Sequence, residues 1–337
     1  MSRSNLLMIV GTMAMSIGTA LSSAADPWVV YEGQDGPGAG KHIVFVTGDD
    51  EYRSEEGMPM MAKILAIRHG FKCTVLFAID PKDGTIKPNH QNNIPGLEQL
   101  KTADMMVIFT RFRELPDDQM KHIVDFTNSG KPIMGLRTAT HAFNYTKNRK
   151  SPYVDYTFNS RKWKGGFGQQ VLGDTWINHH GHHGRESTRG VVNPKYKSHP
   201  ILKGVTDVWG PTDVYGVRNL TSDAQVLMHG QVLAGMKPGD KPVKGGKNNP
   251  MMPLVWTKEY IGMSGKTSRV LCTTMGASMD LQSEGLRRLL VNACYWGLAM
   301  EDKIPTNSDV RYVGPYKPTR FGFGSFTRGV KPSDHRL

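Results

Sequence analysis

Between Trp176 and Glu186 the chain runs WINHHGHHGRE, which puts four histidines around Gly181 within five positions. Imidazole can ligate a transition metal, carry a proton near neutrality, or hydrogen-bond a sugar hydroxyl. The same composition also suits a solvated turn. His179 and His183 have the i, i+4 spacing of a helical zinc signature, but no Glu follows His179, and Gly181 opposes a helix. On a loop, His179 and His182 are the pair expected to bind one divalent ion such as zinc, with Asp174, Glu186 or His199 completing the set. Without an ion, His179 and its neighbours would bind a sugar or act as general acid or base on one.

Three further segments carry chemistry, and each leaves a short apolar run. TGDDEYRSEE offers Asp49, Asp50, Glu51, Tyr52 and Arg53; TRFRELP offers Arg111 and Arg113; LRTATHAF offers Arg137, Thr138, Thr140 and His141. Fork-shaped guanidiniums beside carboxylates suit polyhydroxylated or anionic small molecules. In this reading Asp50 or His179 handles protons, while Arg111, Arg113 and Arg137 hold hydroxyls or a developing anion. Tyr52 would offer an apolar face to a sugar ring. The stretch MGLRTATHAF resembles a strand turning sharply into a helix, the geometry of a nucleophile elbow, with Thr138 in the nucleophile's place. A threonine without an adjacent base is a poor nucleophile, so a hydrogen-bonding role is expected, with the helix N-terminus attracting an anion.

Positioning these segments takes a sheet. HIVFV, KCTVLFAI, DMMVIFT and KPIMGL are short apolar runs without period-2 alternation, as strands buried on both faces require. Helical spacing follows the first (Met61, Ile64, Leu65 and Ile67, closed by Gly70), and a shorter helix, GLEQLKTA, follows the second. PDDQMKHIVDFTNSG is a helix begun by Pro116 and Asp117 and stopped at Gly130. Strands alternating with helices give βαβ units and a mostly parallel sheet with helices on both faces. In such a sheet ligands bind outside the carboxyl ends of the strands, where these charged segments lie. Residues 152–222 are loop-rich. AQVLMHGQVL, MPLVWTKEY and SRVLCTTM then predict strands, the first two antiparallel, and SEGLRRLLVNACYWGLAM a last helix with Leu286, Leu289, Leu290, Ala293 and Trp296 on one face.

At 337 residues the chain is long enough for one large domain with a substantial core. Residues 1–25 predict a secretory signal: Arg3 is the positive start, Leu6 to Leu21 carries no charge, and Ser23 and Ala25 precede a cut before Asp26. Residues 26–40 are a Gly-rich lead-in, and 301–337 an extended tail lying on the body. The formal net charge of +12 is spread over the chain instead of forming a stripe with stacking aromatics, which argues against a nucleic-acid partner. No run beyond the signal is long and apolar enough to span a bilayer, so no membrane partner is expected after cleavage. Cys73, Cys272 and Cys294 are an odd, sparse set that gives no disulfide framework and predicts small buried side chains.

Several blocks in order (HIVFVTGDDEYRSEE, GKPIMGLRTATHAF, VLGDTWINHHGHHG, SHPILKGV, PTDVYGV and TTMGASMDLQSEGLRRLLVNACYWGL) resemble the ThuA-like (trehalose utilisation) family, over 41–300. The resemblance implies a flavodoxin-like fold related to class I glutamine amidotransferases, and a role in sugar catabolism associated with oxidised (3-keto) sugars. His179, His199, Asp213 and Tyr215 match positions characteristic of the family and become site candidates. Glutaminase chemistry needs a Cys at the elbow and a His after a late strand. This elbow reads LRTAT, and Ala277 stands where members often carry His. The expectation is therefore an exported, periplasmic or secreted protein of carbohydrate catabolism acting on a glycoside or keto-sugar. The alternatives are a non-catalytic carbohydrate-binding protein and a metal-dependent hydrolase.

Overall fold

The computed structural model describes residues 26–337, so the expected signal segment lies outside the described residues. The apolar runs form the strands they predict: β2 (His42–Gly48), β3 (Lys72–Leu76), β4 (Met105–Thr110), β5 (Ile133–Leu136) and, late in the chain, β10 (Thr267–Thr273). These five lie parallel in the order β3-β2-β4-β5-β10. That is the 2-1-3-4-5 order of flavodoxin-like sheets, in which the direction of winding reverses between the first and third strands, here β2 and β4.

Antiparallel strands extend both edges. β1 (Trp28–Tyr31), in the lead-in, pairs with β3. On the far side β9 (Met252–Ile261), β8 (Gln225–Leu233), β6 (Ser187–Val192) and the two-residue β7 (Trp209–Gly210) complete a ten-stranded sheet. The expected antiparallel pairing of β8 and β9 is present, whereas β1, β6 and β7 are additions to the sequence reading.

Alternate residues of the central strands enter opposite cores. Ile43 and Phe45 pack with helices α1 (Ser54–His69) and α3 (Glu284–Gly297). Val44 and Val46 pack with helix α2 (Asp117–Thr127) and the short 3-10 turn Leu97–Lys101. Both faces are thus covered, which is why these strands lack alternation. On α3 the buried Leu286, Leu289 and Leu290 each contribute roughly 1.5–3 kcal/mol of burial, and Ser283 caps the helix by accepting from the Leu286 N–H. All three cysteines are buried and free. Among the described residues no helix is long and apolar enough to cross a membrane.

One buried carboxyl sits in the first turn of α1. Burial, its largest cause, pushes the Glu55 carboxyl up to about 8, with Arg53 acting in the opposite direction. An unfolded glutamate titrates near 4.3, so the folded state holds the extra proton. That contribution is complete below the unfolded value and is lost as pH rises through 8. Glu55→Gln, neutral at every pH, should match wild type near pH 4 and gain on it up to pH 8. Above that its advantage should level off at a few kcal/mol, on the order of the pKa difference. Thermal unfolding across pH checks this; parallel curves for the two proteins would contradict it.

Candidate functional site

The exits of β2, β4 and β5 meet the histidine loop at the carboxyl edge of the parallel strands. After β2, Asp49 folds inward: its Oδ1 accepts the Glu51 N–H (2.7 Å) and the Tyr52 N–H, and its Oδ2 accepts the Thr138 hydroxyl (2.5 Å). Asp49 and Thr138 are both fully buried and bind each other, so neither faces a ligand. The turn aims Asp50 and Glu51 toward Arg111, at the end of β4. Arg111 lies 3.2 Å from Asp50 and 3.8 Å from Glu51.

The elbow after β5 is tighter than a helix start. Arg137–His141 is a single 3-10 turn, and Arg137 itself has φ 43. In G-x-S-x-G elbows the strained residue is the nucleophile; in GLRTA that position is Arg137, one residue before the expected Thr138. The site therefore has an arginine where a nucleophile would stand. Its guanidinium is buried between the rings of Tyr52 (4.2 Å) and Tyr215 (4.1 Å). It donates to the Asp213 carbonyl and Oδ1 (both 3.0 Å), the Thr274 carbonyl (2.7 Å) and the Tyr52 hydroxyl (3.1 Å). Arg137 holds Asp213 rather than a ligand, and Tyr52 and Tyr215 are buried against it.

The histidine loop is held by backbone pairing, with His179 and His183 still exposed to solvent. Gly216 N–H donates to the Asn178 carbonyl, and His180 and Gly181 N–H groups donate to the Val214 carbonyl. A Cβ on Gly216 would come within 2.3 Å of the Asn178 Oδ1, so the Asn178 side chain would have to turn away. This pairing points two imidazoles at one carboxylate. His179 Nδ1 is 2.7 Å from Asp213 Oδ2, and His183 Nδ1 is 3.0 Å from Asp213 Oδ1. A carboxylate only accepts, so both Nδ1 atoms must donate. The His179 Nε2 lone pair is then free, and it makes no protein hydrogen bond among the described residues. Burial would favour neutral Asp213, but the bonds from His179 and His183, with the Arg137 charge, hold it well below the usual carboxylate range.

His183 Nε2 lies 3.4 Å from Glu51 Oε1. Since His183 Nδ1 already donates, attraction at this second contact needs a proton between Nε2 and Glu51. Burial and Asp49 raise the Glu51 pKa, which favours that proton, while Arg137, Arg111 and His183 oppose the rise. A continuous chain of polar contacts results, from Asp50 through Arg111, Glu51, His183 and Asp213 to His179.

Several candidates from the sequence stand elsewhere. His182 is exposed and outside the cluster, its backbone N–H bonded to Glu186; His183 takes the place expected for it. His199 caps the short turn Pro200–Leu202, and its ring lies 5.8 Å from Trp296 on α3, away from the strand ends. Arg113 is buried and donates to the carbonyls of Pro88, His90 and Arg111, stapling a loop. Arg53 is buried and donates to the Gly322 carbonyl. His141 is buried among Phe112, Phe158 and Trp176, and burial keeps it neutral, its pKa well below the ordinary value. Asp174 accepts three backbone N–H groups and Glu186 pairs with Lys247, so neither completes a metal site.

Three groups do form a candidate set for a divalent ion: His179, His183 and Asp213 have donor atoms within 4.8 Å of one another. Tetrahedral zinc with bonds of about 2.0–2.1 Å spaces its ligands by roughly 3.3 Å. Coordination through the two Nδ1 atoms, now 2.7 and 3.0 Å from Asp213, would require the set to spread, release both Nδ1 protons and share Asp213 with Arg137. The bonds as they stand are those of carboxylate-oriented imidazoles.

Strand order and site together define a flavodoxin-like α/β protein whose elbow after β5 carries no cysteine. The chain belongs to the ThuA (trehalose utilisation) family, whose model matches residues 42–297. A ThuA-like protein of Parabacteroides merdae ATCC 43184 aligns at 13% identity and a TM-score of 0.47, covering 77% of this chain and 90% of that one. A second, of Bacteroides uniformis ATCC 8492, aligns at 16% and 0.45, covering 78% and 92%. The glutaminase domain of Trypanosoma brucei CTPS aligns at 10% and 0.35, covering 81% of this chain and 100% of that domain. The comparison with curated proteins finds no match.

Proposed function

We propose that the protein processes a carbohydrate, a glycoside or its keto form, at the strand ends, with His179 as the proton-transfer group. The observation that carries this reading is the Asp213 carboxylate, which fixes His179 with its Nε2 lone pair unbonded. An imidazole so oriented is a general base whose conjugate acid the carboxylate stabilises. Glu51, its pKa raised by burial and by Asp49 and its Oε1 3.4 Å from His183 Nε2, is the neighbouring carboxyl able to return one. Asp50 and Arg111, both part-exposed, bind hydroxyls by forked hydrogen bonds. Membership of a trehalose-utilisation family supports the substrate class. Export belongs to the same proposal: N-terminal sequencing of exported protein should find a start at or near Asp26, and a sequence that still contains Arg3 would contradict it.

Activity should be measured on a panel of disaccharides, trehalose among them, and on their 3-keto forms. His179→Ala should lose about 10²–10⁴-fold in turnover, the range of general acid–base catalysis. His182→Ala, outside the cluster, should stay within about twofold of wild type. Equal turnover in His179→Ala and wild type would remove the proton-transfer role.

The three-donor set favours a second reading, a metal-dependent hydrolase using His179, His183 and Asp213. Metal analysis of protein purified without a His tag separates the two. A stoichiometric ion lost in His179→Ala supports the second reading, and a metal-free active enzyme supports the first.

A further inference from the structure

The C-terminal tail returns to the strand ends. It lies beyond the residues 42–297 that define the family match, yet three consecutive tail residues border the chain of polar contacts. Gly322 is fixed from both sides: its N–H donates to the Glu51 carbonyl (2.8 Å), and its carbonyl accepts from Arg53 (2.5 Å). Phe321 is buried, its ring 5.8 Å from Tyr52 and 5.2 Å from His183. Phe323 is 59% exposed, and the Arg111 guanidinium covers it at 4.7 Å. Arg111 also lies over the Phe112 ring, at 4.4 Å.

The segment does not float. Upstream, Thr319 donates to Glu56 through both its N–H and its hydroxyl, and the Tyr316 hydroxyl donates to the Ser278 carbonyl. Downstream, the Val330 carbonyl accepts from Ile86, and the His335 carbonyl from the Tyr31 hydroxyl. A single exposed phenyl group on a protein surface needs no explanation. This one is held on an anchored backbone, beside a guanidinium–carboxylate pair, at the edge predicted to take a ligand. An aromatic face next to convergent polar groups is the composition of a small-molecule site. For a pyranose, the apolar C–H face packs on the ring face that Arg111 leaves open.

We infer that Phe323 is the sugar-stacking residue of the site, supplied by the tail rather than by the family domain. The inference rests on the carbohydrate reading above and adds which residue selects the sugar ring.

The test is the dissociation constant for trehalose and for 3-ketotrehalose, measured on full-length wild type, Phe323→Ala, Phe323→Trp and His179→Ala. Phe323→Ala should bind about tenfold more weakly and Phe323→Trp within about twofold of wild type, since an aromatic face is restored. In turnover, Phe323→Ala should raise KM and leave kcat within about twofold, whereas His179→Ala should lower kcat. A phenyl that only shields Arg111 would change stability and not this split. Wild-type affinity in a folded Phe323→Ala overturns the inference and leaves the proton-transfer reading standing if His179→Ala is inactive. No binding of either sugar by wild type overturns both.

Discussion

Arg137→Met is expected to lower the free energy of unfolding by about 3–5 kcal/mol, the cost of removing one partner from a buried ion pair. The side chain is fully buried, and no solvent can replace what it binds. Methionine fills much of the space between Tyr52 and Tyr215 but leaves the carbonyls of Asp213 and Thr274 without their donor. It also leaves the Asp213 carboxylate in the interior with only the two imidazoles to offset its charge. Arg137→Lys keeps the charge, but one ammonium cannot span the same acceptors or stack between two rings, so an intermediate loss is expected. Urea unfolding measures both. A loss below about 1 kcal/mol for Arg137→Met would mean that the pair is not the support described.

Asp213→Asn should reduce turnover by about 10²–10⁴-fold with a much smaller change in KM. An amide keeps the shape but presents one acceptor and one donor where the carboxylate accepts from both Nδ1 atoms. One imidazole must then face an N–H group and flip or change tautomer. The Nε2 of His179 is no longer held as a base, and its protonated form loses the negative charge beside it. Arg137 loses its ion-pair partner as well, so the variant should also be less stable than wild type. Steady-state kinetics beside an unfolding curve separates the two effects at temperatures where the variant is folded. Turnover within about twofold of wild type would show that Asp213 does not orient a catalytic group.

The parallel half of the fold was legible because strands buried on both faces leave continuous apolar runs, as in HIVFV and DMMVIFT. The location of the candidate site was legible for the same reason, since charged residues after Gly48, Thr110 and Leu136 had to emerge at one edge. Roles were not. Whether an arginine faces solvent or a buried tyrosine pair depends on backbone conformation, and Arg137 at φ 43 turns inward. Arg113 carries the same charge as Arg111 two residues earlier, yet it is spent on three carbonyls. The choice of His183 over His182 is set by pairing with residues 214–216, a contact between segments some 35 residues apart. The i, i+4 spacing of His179 and His183 is the available signal, but on its own it points to a helical pair, which Gly181 opposes. Glu51 stood in view within DDEYR without a partner to single it out. The return of the tail onto Glu51 and Arg111 has no signature in Pro- and Gly-rich sequence.

The most direct test is a crystal structure of the full chain with trehalose or its 3-keto derivative. The sugar should lie at the ends of β2 and β4, with a reacting carbon or hydroxyl within about 3.2 Å of His179 Nε2. Asp50 and Arg111 should bond its hydroxyls, and Asp213 should still accept from both imidazoles. A sugar found instead in the separate groove of about 640 Å³ lined by Tyr153, Tyr156, Trp163 and Tyr260, with the strand ends empty, would contradict the account.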